Sequence, residues 1–220
     1  LTHATYRDLG FVARPDGNFD VYSAGGLGSN PRMGICVAKA VDPSRILYHI
    51  RAMWLLFCSY GNYEVRSRAR TRYIPEALGG PEAYIAAWQE KLKEALESEE
   101  DLTLHLTPKP VTKTGDGVHE ENFRVLAQKQ EGLYAVLYPP IGGQPPVSWF
   151  SEIRKVLRGM RDVELRLAPD ESVYLINLTA READRVLKAT EGGARTPFEA
   201  SVSCIGGSTC QVGMGDSQRL

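Results

Sequence analysis

Only four cysteines occur in the 220 residues. That is too sparse for a disulfide-stapled secreted domain, and it leaves buried thiols, metal ligands or redox groups as their roles. A reducing, cytoplasmic location fits this usage. Neither sign of charge is in excess: 26 Lys and Arg against 27 Asp and Glu give a net charge of -1. A general polyanion binder shows a clear basic excess, so nucleic acid is excluded as a partner and any anion site must be local. No apolar run approaches the roughly 20 residues of a membrane span. The longest, Ile46 to Phe57, is broken by His49 and Arg51, which excludes a membrane protein. His3, His49, His105 and His119 show no paired spacing that suggests a metal site or a triad. A serine nucleophile elbow and a Walker loop are likewise missing. Leu1-Thr2-His3 has neither an initiator Met nor a signal pattern, and Gln218-Arg219-Leu220 stops inside an expected helix. Both ends therefore point to a portion of a longer polypeptide.

What is present, 43% hydrophobic and 24% charged residues, suffices for a sizeable core in one large or two small domains. Residues 1 to about 30 alternate apolar and polar positions, notably Phe19, Val21 and Ser23-Ala24, which predicts two short strands ending at Gly25-Gly26. Asp42-Pro43 then signals a helix start, Ile46, Leu47, Ile50, Trp54, Phe57 and Cys58 form its apolar stripe, and Gly61-Asn62 stops it. A second helical stretch, Arg66 to Leu78, is expected to bend near Pro75 and close at Gly79-Gly80. A third starts at Pro81, with Tyr84, Ile85, Trp88, Leu92 and Leu96 facing inward.

From Thr107 to Glu121 almost nothing is apolar, which reads as an inter-domain connection. Beyond it, strands are predicted over 123–126, 133–138, 163–167 and 173–178, a helix over 148–157, and another opening on the capping box Thr179-Ala180-Arg181-Glu182. This β-β-α-β-β-α order gives an α+β unit of ferredoxin-like character.

Three segments could carry chemistry. In Ser203-Cys204-Ile205-Gly206-Gly207-Ser208-Thr209-Cys210, two cysteines flank five small or apolar residues. An iron-sulfur loop needs such residues so that its backbone can curl closely around the cluster. Free thiols, a labile disulfide and half a zinc site are the other readings of the same spacing. In Gly25-Gly26-Leu27-Gly28-Ser29-Asn30-Pro31-Arg32, Pro31 falls where a dinucleotide loop needs its third glycine, so a Rossmann site is rejected. The loop is either an ordinary turn or a strand end that a flat ligand can approach. Arg66, Arg68, Arg70 and Arg72 would form two rows on a helix, Arg66 with Arg70 and Arg68 with Arg72. One row can face a polycarboxylate, because the guanidinium fork binds carboxylates bidentately; a solvated helix face is the alternative. Cys36 and Cys58 sit among apolar neighbours and are read as small core residues.

Taken in order, these segments resemble the siroheme-dependent nitrite and sulfite reductase family over nearly the whole chain. Phe19-Asp20-Val21 into Gly25-Gly26-Leu27-Gly28 looks like the family's strand and glycine loop, and Gly61-Asn62 with Arg66 to Tyr73 looks like its basic segment near siroheme. Ala127 to Tyr134 is similar to the opening of its second ferredoxin-like half-domain, and Cys204 and Cys210, with Thr209 before and Met214 after the second, resemble its first cluster cysteine pair. The resemblance implies residues 1–108 as the end of one siroheme/4Fe-4S domain, 109–200 as a half-domain and 201–220 as the start of a second large domain. It implies reduction of nitrite to ammonia or sulfite to sulfide with siroheme and a 4Fe-4S cluster. Expected partners are a ferredoxin or flavoprotein electron donor, a small anionic substrate and the remainder of the same polypeptide. Arg70 and Arg72, then Arg66 and Arg68, with Gly26, are the expected siroheme contacts, and Cys204 and Cys210 the expected metal ligands. One departure is Glu171, which brings a negative charge where the family usually has a neutral donor. On this map the chain by itself should not be catalytic. A non-catalytic scaffold or thiol-redox module of the same descent is the alternative.

Overall fold

The computed structural model describes residues 3–28, 30–107, 109–210, 213–217 and 219. Leu1, Thr2, Ser29, Pro108, Gln211, Val212, Gln218 and Leu220, some of which enter the expectations above, lie outside the described residues. The chain divides into two compact units at residues 108 and 109, and both mix helix with antiparallel sheet in an α+β fold.

The first unit opens on a three-stranded meander, β1 (Leu9–Ala13), β2 (Phe19–Ser23) and β3 (Ile35–Val41). The third strand corrects the two-strand expectation. Its pairing with β2 is irregular and Ala40 has a positive φ of 52°, so Ile35-Cys36-Val37-Ala38-Lys39-Ala40-Val41 does not keep the period of two that marks a strand. Asp42 accepts the backbone N–H of Ser44 and caps a 3-10 turn that leads into α1 (Ile46–Tyr60), stopped by Gly61 as expected.

The face that α1 buries differs from the predicted stripe. Tyr48, His49, Ala52 and Leu56 point inward, while Ile50 and Trp54 are 41% and 52% exposed and Cys58 is exposed as well. The physical reason is the partner. The helix α2 (Ile74–Leu78) is followed by α3 (Pro81–Leu96), whose Tyr84 and Trp88 rings are wholly buried. Rings of that size leave room for Ala52 opposite and not for a second tryptophan. On α3, Leu96 at 46% exposure also departs from the inward set.

The second unit carries β4 (Val125–Ala127), β5 (Tyr134–Tyr138), α4 (Val147–Leu157), β6 (Glu164–Leu167), β7 (Val173–Leu178) and α5 (Ala180–Ala189). Its sheet order is β4-β5-β7-β6, all antiparallel neighbours. Thus β5 and β6 run parallel with β7 between them, a split β-α-β crossover through α4. Residues 134, 136 and 138 of β5 meet Trp149, Ile153, Ala183 and Val186 of the helices. Ala135 and Leu137 face the other side with Tyr174. The capping box of α5 is present in both directions, between Thr179 and Glu182. No described helix is long and apolar enough to cross a membrane.

Candidate functional site

The arginine segment is not the α-helix that the spacing implies. Arg66–Arg68 and Thr71–Tyr73 form separate 3-10 turns, and α2 begins only at Ile74. Pro75 lies in the first turn of α2, starting that helix instead of bending a longer one. The break at Ala69, whose φ and ψ are -75° and 56°, turns the chain between Arg68 and Arg70. The two-row arrangement is therefore corrected, and each arginine has its own surroundings.

Arg66 and Arg68 are exposed, Arg68 with its guanidinium 6.0 Å from the centre of the Tyr73 ring. Arg70 reaches back to the residue before β1, where its Nη2 and Nε donate to the two Asp8 oxygens at 2.8 and 3.4 Å. The hydroxyl of buried Thr71 donates to the same carboxylate at 2.5 Å. Burial pulls the Asp8 pKa up, but the hydrogen bonds from Arg70 and Thr71 and the Arg70 charge outweigh it and leave the group below the ordinary carboxylate value.

Arg72 is only 6% exposed. Its Nη1 donates to the Leu27 carbonyl in the glycine loop, its Nη2 to the Tyr73 hydroxyl at 3.3 Å, and its Nε is buried with no hydrogen-bond partner. Among the described residues no carboxylate forms an ion pair with it. A buried cation without a counter-charge is unfavourable unless something else neutralises it.

Gly26 is the residue that admits this arrangement. A Cβ built there would lie 3.1 Å from Arg72 Cδ, 3.4 Å from its Nη1 and 3.9 Å from Arg70 Nη2. The loop is closed by reciprocal backbone hydrogen bonds between Gly26 and Arg32, and Arg32 pairs with Glu76 of α2 at 2.7 Å. Gly28, at φ 105°, continues the strip of bare backbone beside the guanidinium. Gly26, Arg70 and Arg72 thus come together, whereas Arg66 and Arg68 stand apart on the surface. Sequence reasoning missed Asp8 and Thr71; an aspartate some sixty residues upstream of its partner carries no local signal.

The second set of candidate residues lies in the second unit. Cys204 is exposed and Cys210 partly exposed, both free thiols. Their loop folds on itself: Cys210 N donates to Gly206 O at 2.9 Å and Gly207 N to Gly215 O at 2.7 Å. The Ser217 hydroxyl donates to the Cys204 carbonyl. Glycines are needed here, since a Cβ on Gly213 would come within 2.8 Å of Gly206 and Gly207 backbone atoms. Among the described residues no group of three or more potential ligands gathers at one point. A 4Fe-4S cluster requires four such ligands, so these two thiols alone would be half of a set. Glu171 is exposed in the β6–β7 turn at φ 64°, against Gly143.

Residues 1–96 match the family described as "Nitrite and sulphite reductase 4Fe-4S domain". That match covers the first 96 of the 220 residues, so the first unit is similar to a domain of that family. The matched stretch includes Gly26 and Arg66 through Arg72 and ends before Cys204. The fold is also that of the NirA protein of Mycobacterium tuberculosis, with a TM-score of 0.68 at 22% identity over 100% of this chain. This chain spans 41% of that structure's length. No curated protein sequence matches.

Proposed function

We propose that this chain is part of a reductase that converts nitrite to ammonia or sulfite to sulfide, with Gly26, Arg70 and Arg72 on the carboxylate rim of siroheme. The single observation that carries this reading is Arg72, a buried guanidinium with an orphaned Nε and no acidic partner among the described residues, lying along bare glycine backbone. A flat polycarboxylate meets both needs, since it supplies the missing charge and stacks where side chains are lacking. Arg66 and Arg68, exposed nearby in sequence, would add positive potential for the rim and for an anionic substrate. Cys204 and Cys210 would give two thiolates to a 4Fe-4S cluster, the others coming from the remainder of the polypeptide. Siroheme and a cluster, when bound, would supply the redox chemistry of the reduction, with electrons from a ferredoxin or flavoprotein donor. What the chain itself contributes is charge neutralisation and orientation of the ring.

The test is titration of the purified chain with siroheme, followed by its visible absorption. The expected result is saturable binding that Arg72→Gln weakens at least about tenfold, or ~1.4 kcal/mol. Equal binding by the two proteins overturns the reading. A second reading, a dithiol module, is favoured by the exposure of Cys204 and by the lack of a third ligand among the described residues. It requires a reversible Cys204–Cys210 disulfide, which a thiol count before and after mild oxidation detects.

A further inference from the structure

Arg70 and Arg72 are two residues apart and converge on Gly26, yet they are neutralised differently. Arg72 has no carboxylate partner among the described residues, whereas Arg70 holds both oxygens of Asp8 on Nε and Nη2. We propose that Asp8 is a resident counter-ion which an incoming ligand carboxylate must displace from Arg70, so that Asp8 sets how many carboxylates a ligand needs in order to bind. The inference rests on the reading of this site as a polycarboxylate site.

Three observations carry it. A guanidinium fork that already holds a carboxylate across two N–H groups has that face occupied, so Asp8 and a ligand compete for it. The pair is half exposed, with side-chain accessibilities of 48% for Arg70 and 40% for Asp8. A ligand in solvent therefore reaches it, and water keeps the internal ion pair weak enough to exchange. Finally, the Asp8 main chain is fixed: its carbonyl accepts from the Ser23 hydroxyl at 2.9 Å and from Ala24 N at 3.1 Å. The carboxylate can rotate away but cannot retreat, and Thr71 remains to hold it once Arg70 is released.

A ligand with one carboxylate gains only Arg72. A ligand with several adjoining carboxylates gains Arg72 and recruits Arg70 from Asp8 as well. Asp8 thus filters for polycarboxylates at the expense of absolute affinity.

The probe is uroporphyrin, a metal-free ring bearing carboxylates around its rim, titrated by fluorescence into the full chain at fixed ionic strength. Asp8→Asn keeps the shape and removes the charge, and is expected to tighten binding about three- to tenfold, the range an exposed ion pair allows. Arg70→Gln in the Asp8→Asn background should cancel that gain. Asp8→Ser repeats the test without an amide, and thermal unfolding of each variant establishes that it is folded. If the unmutated chain binds and Arg72→Gln weakens it while both Asp8 variants bind equally or less tightly, Asp8 positions Arg70 for the ligand and the displacement idea is overturned, with the site reading intact. If Arg72→Gln binds as the unmutated chain does, the site reading itself fails, and this inference with it.

Discussion

The arginine segment and the cysteine loop solve opposite problems. Around Arg72 the fold has assembled a setting from its neighbour Tyr73, whose hydroxyl it meets, and from the remote glycine loop, which brings the Leu27 carbonyl and the bare Gly26 backbone. Among the described residues, the cysteine loop is held by hydrogen bonds between its own residues 203 and 217. A charge buried at low dielectric demands a setting that is built before the ligand arrives, whereas exposed thiols do not. The first region therefore depends on the core beneath it, and the second should be nearly silent in stability.

The comparison breaks most visibly at Trp88. Trp88→Ala removes a wholly buried ring from the core under the arginine segment and should cost about 3–5 kcal/mol in urea unfolding of the first unit. A loss under about 1 kcal/mol means that this core does not support the site as described.

Next in size is a dependence on pH. His49 is 4% exposed, its Nδ1 has no partner, and burial lowers its pKa below the usual 6.5. The unfolded chain takes up the proton from about pH 6.5 downward while the folded chain resists, so protons favour unfolding. Stability is full above that value and falls by up to about 1.4 kcal/mol per pH unit as pH drops toward the folded-state pKa. Unfolding of His49→Phe at pH 7.5 and 5.5 should show a flatter profile; an unchanged slope assigns the effect to other groups.

Arg72→Met sharpens the contrast. Replacing a buried cation that has no carboxylate partner among the described residues with an unbranched hydrophobe should alter stability by less than about 1 kcal/mol in either direction while abolishing polycarboxylate binding. A large destabilisation would make Arg72 a structural strut. The smallest effect belongs to the other region: Cys204→Ser with Cys210→Ser should leave the unfolding free energy unchanged within about 0.5 kcal/mol, while iron and sulfide uptake on anaerobic reconstitution of the chain together with the remainder of its polypeptide is lost. Retained uptake removes both cysteines from the ligand set.

How far the sequence anticipated these features follows from whether each signal is local. The capping box Thr179 to Glu182 and the strand 173–178 are written in adjacent residues and appear as read. The strand 35–41 escaped because its irregular pairing and the positive φ at Ala40 erase the period. The inward face of α1 escaped because hydrophobicity ranks Trp54 above Ala52, although the α3 rings accept only the smaller. At the site, the arginines were visible by type, but their grouping was not. Two 3-10 turns replace the helix, partly because the Asn62 side chain accepts from the N–H groups of Glu64 and Val65 and sets a turn of its own. The Asp8 partnership spans 62 residues and belongs to tertiary structure alone.

Beneath Asp8 runs a short chain of hydroxyls. The Ser23 hydroxyl donates to the Asp8 carbonyl and accepts from the Tyr84 hydroxyl at 2.8 Å, leaving the phenol so withdrawn from water that its pKa is pushed up to about 12. A surface carboxylate is in this way moored to an aromatic ring in the middle of the first unit. Tyr84→Phe keeps the ring but removes the donor to Ser23, so the residue that holds the Asp8 carbonyl loses its own anchor in the core. The interior of this unit is consequently not free to wander among equivalent hydrophobic solutions, because its variants are judged at the surface too.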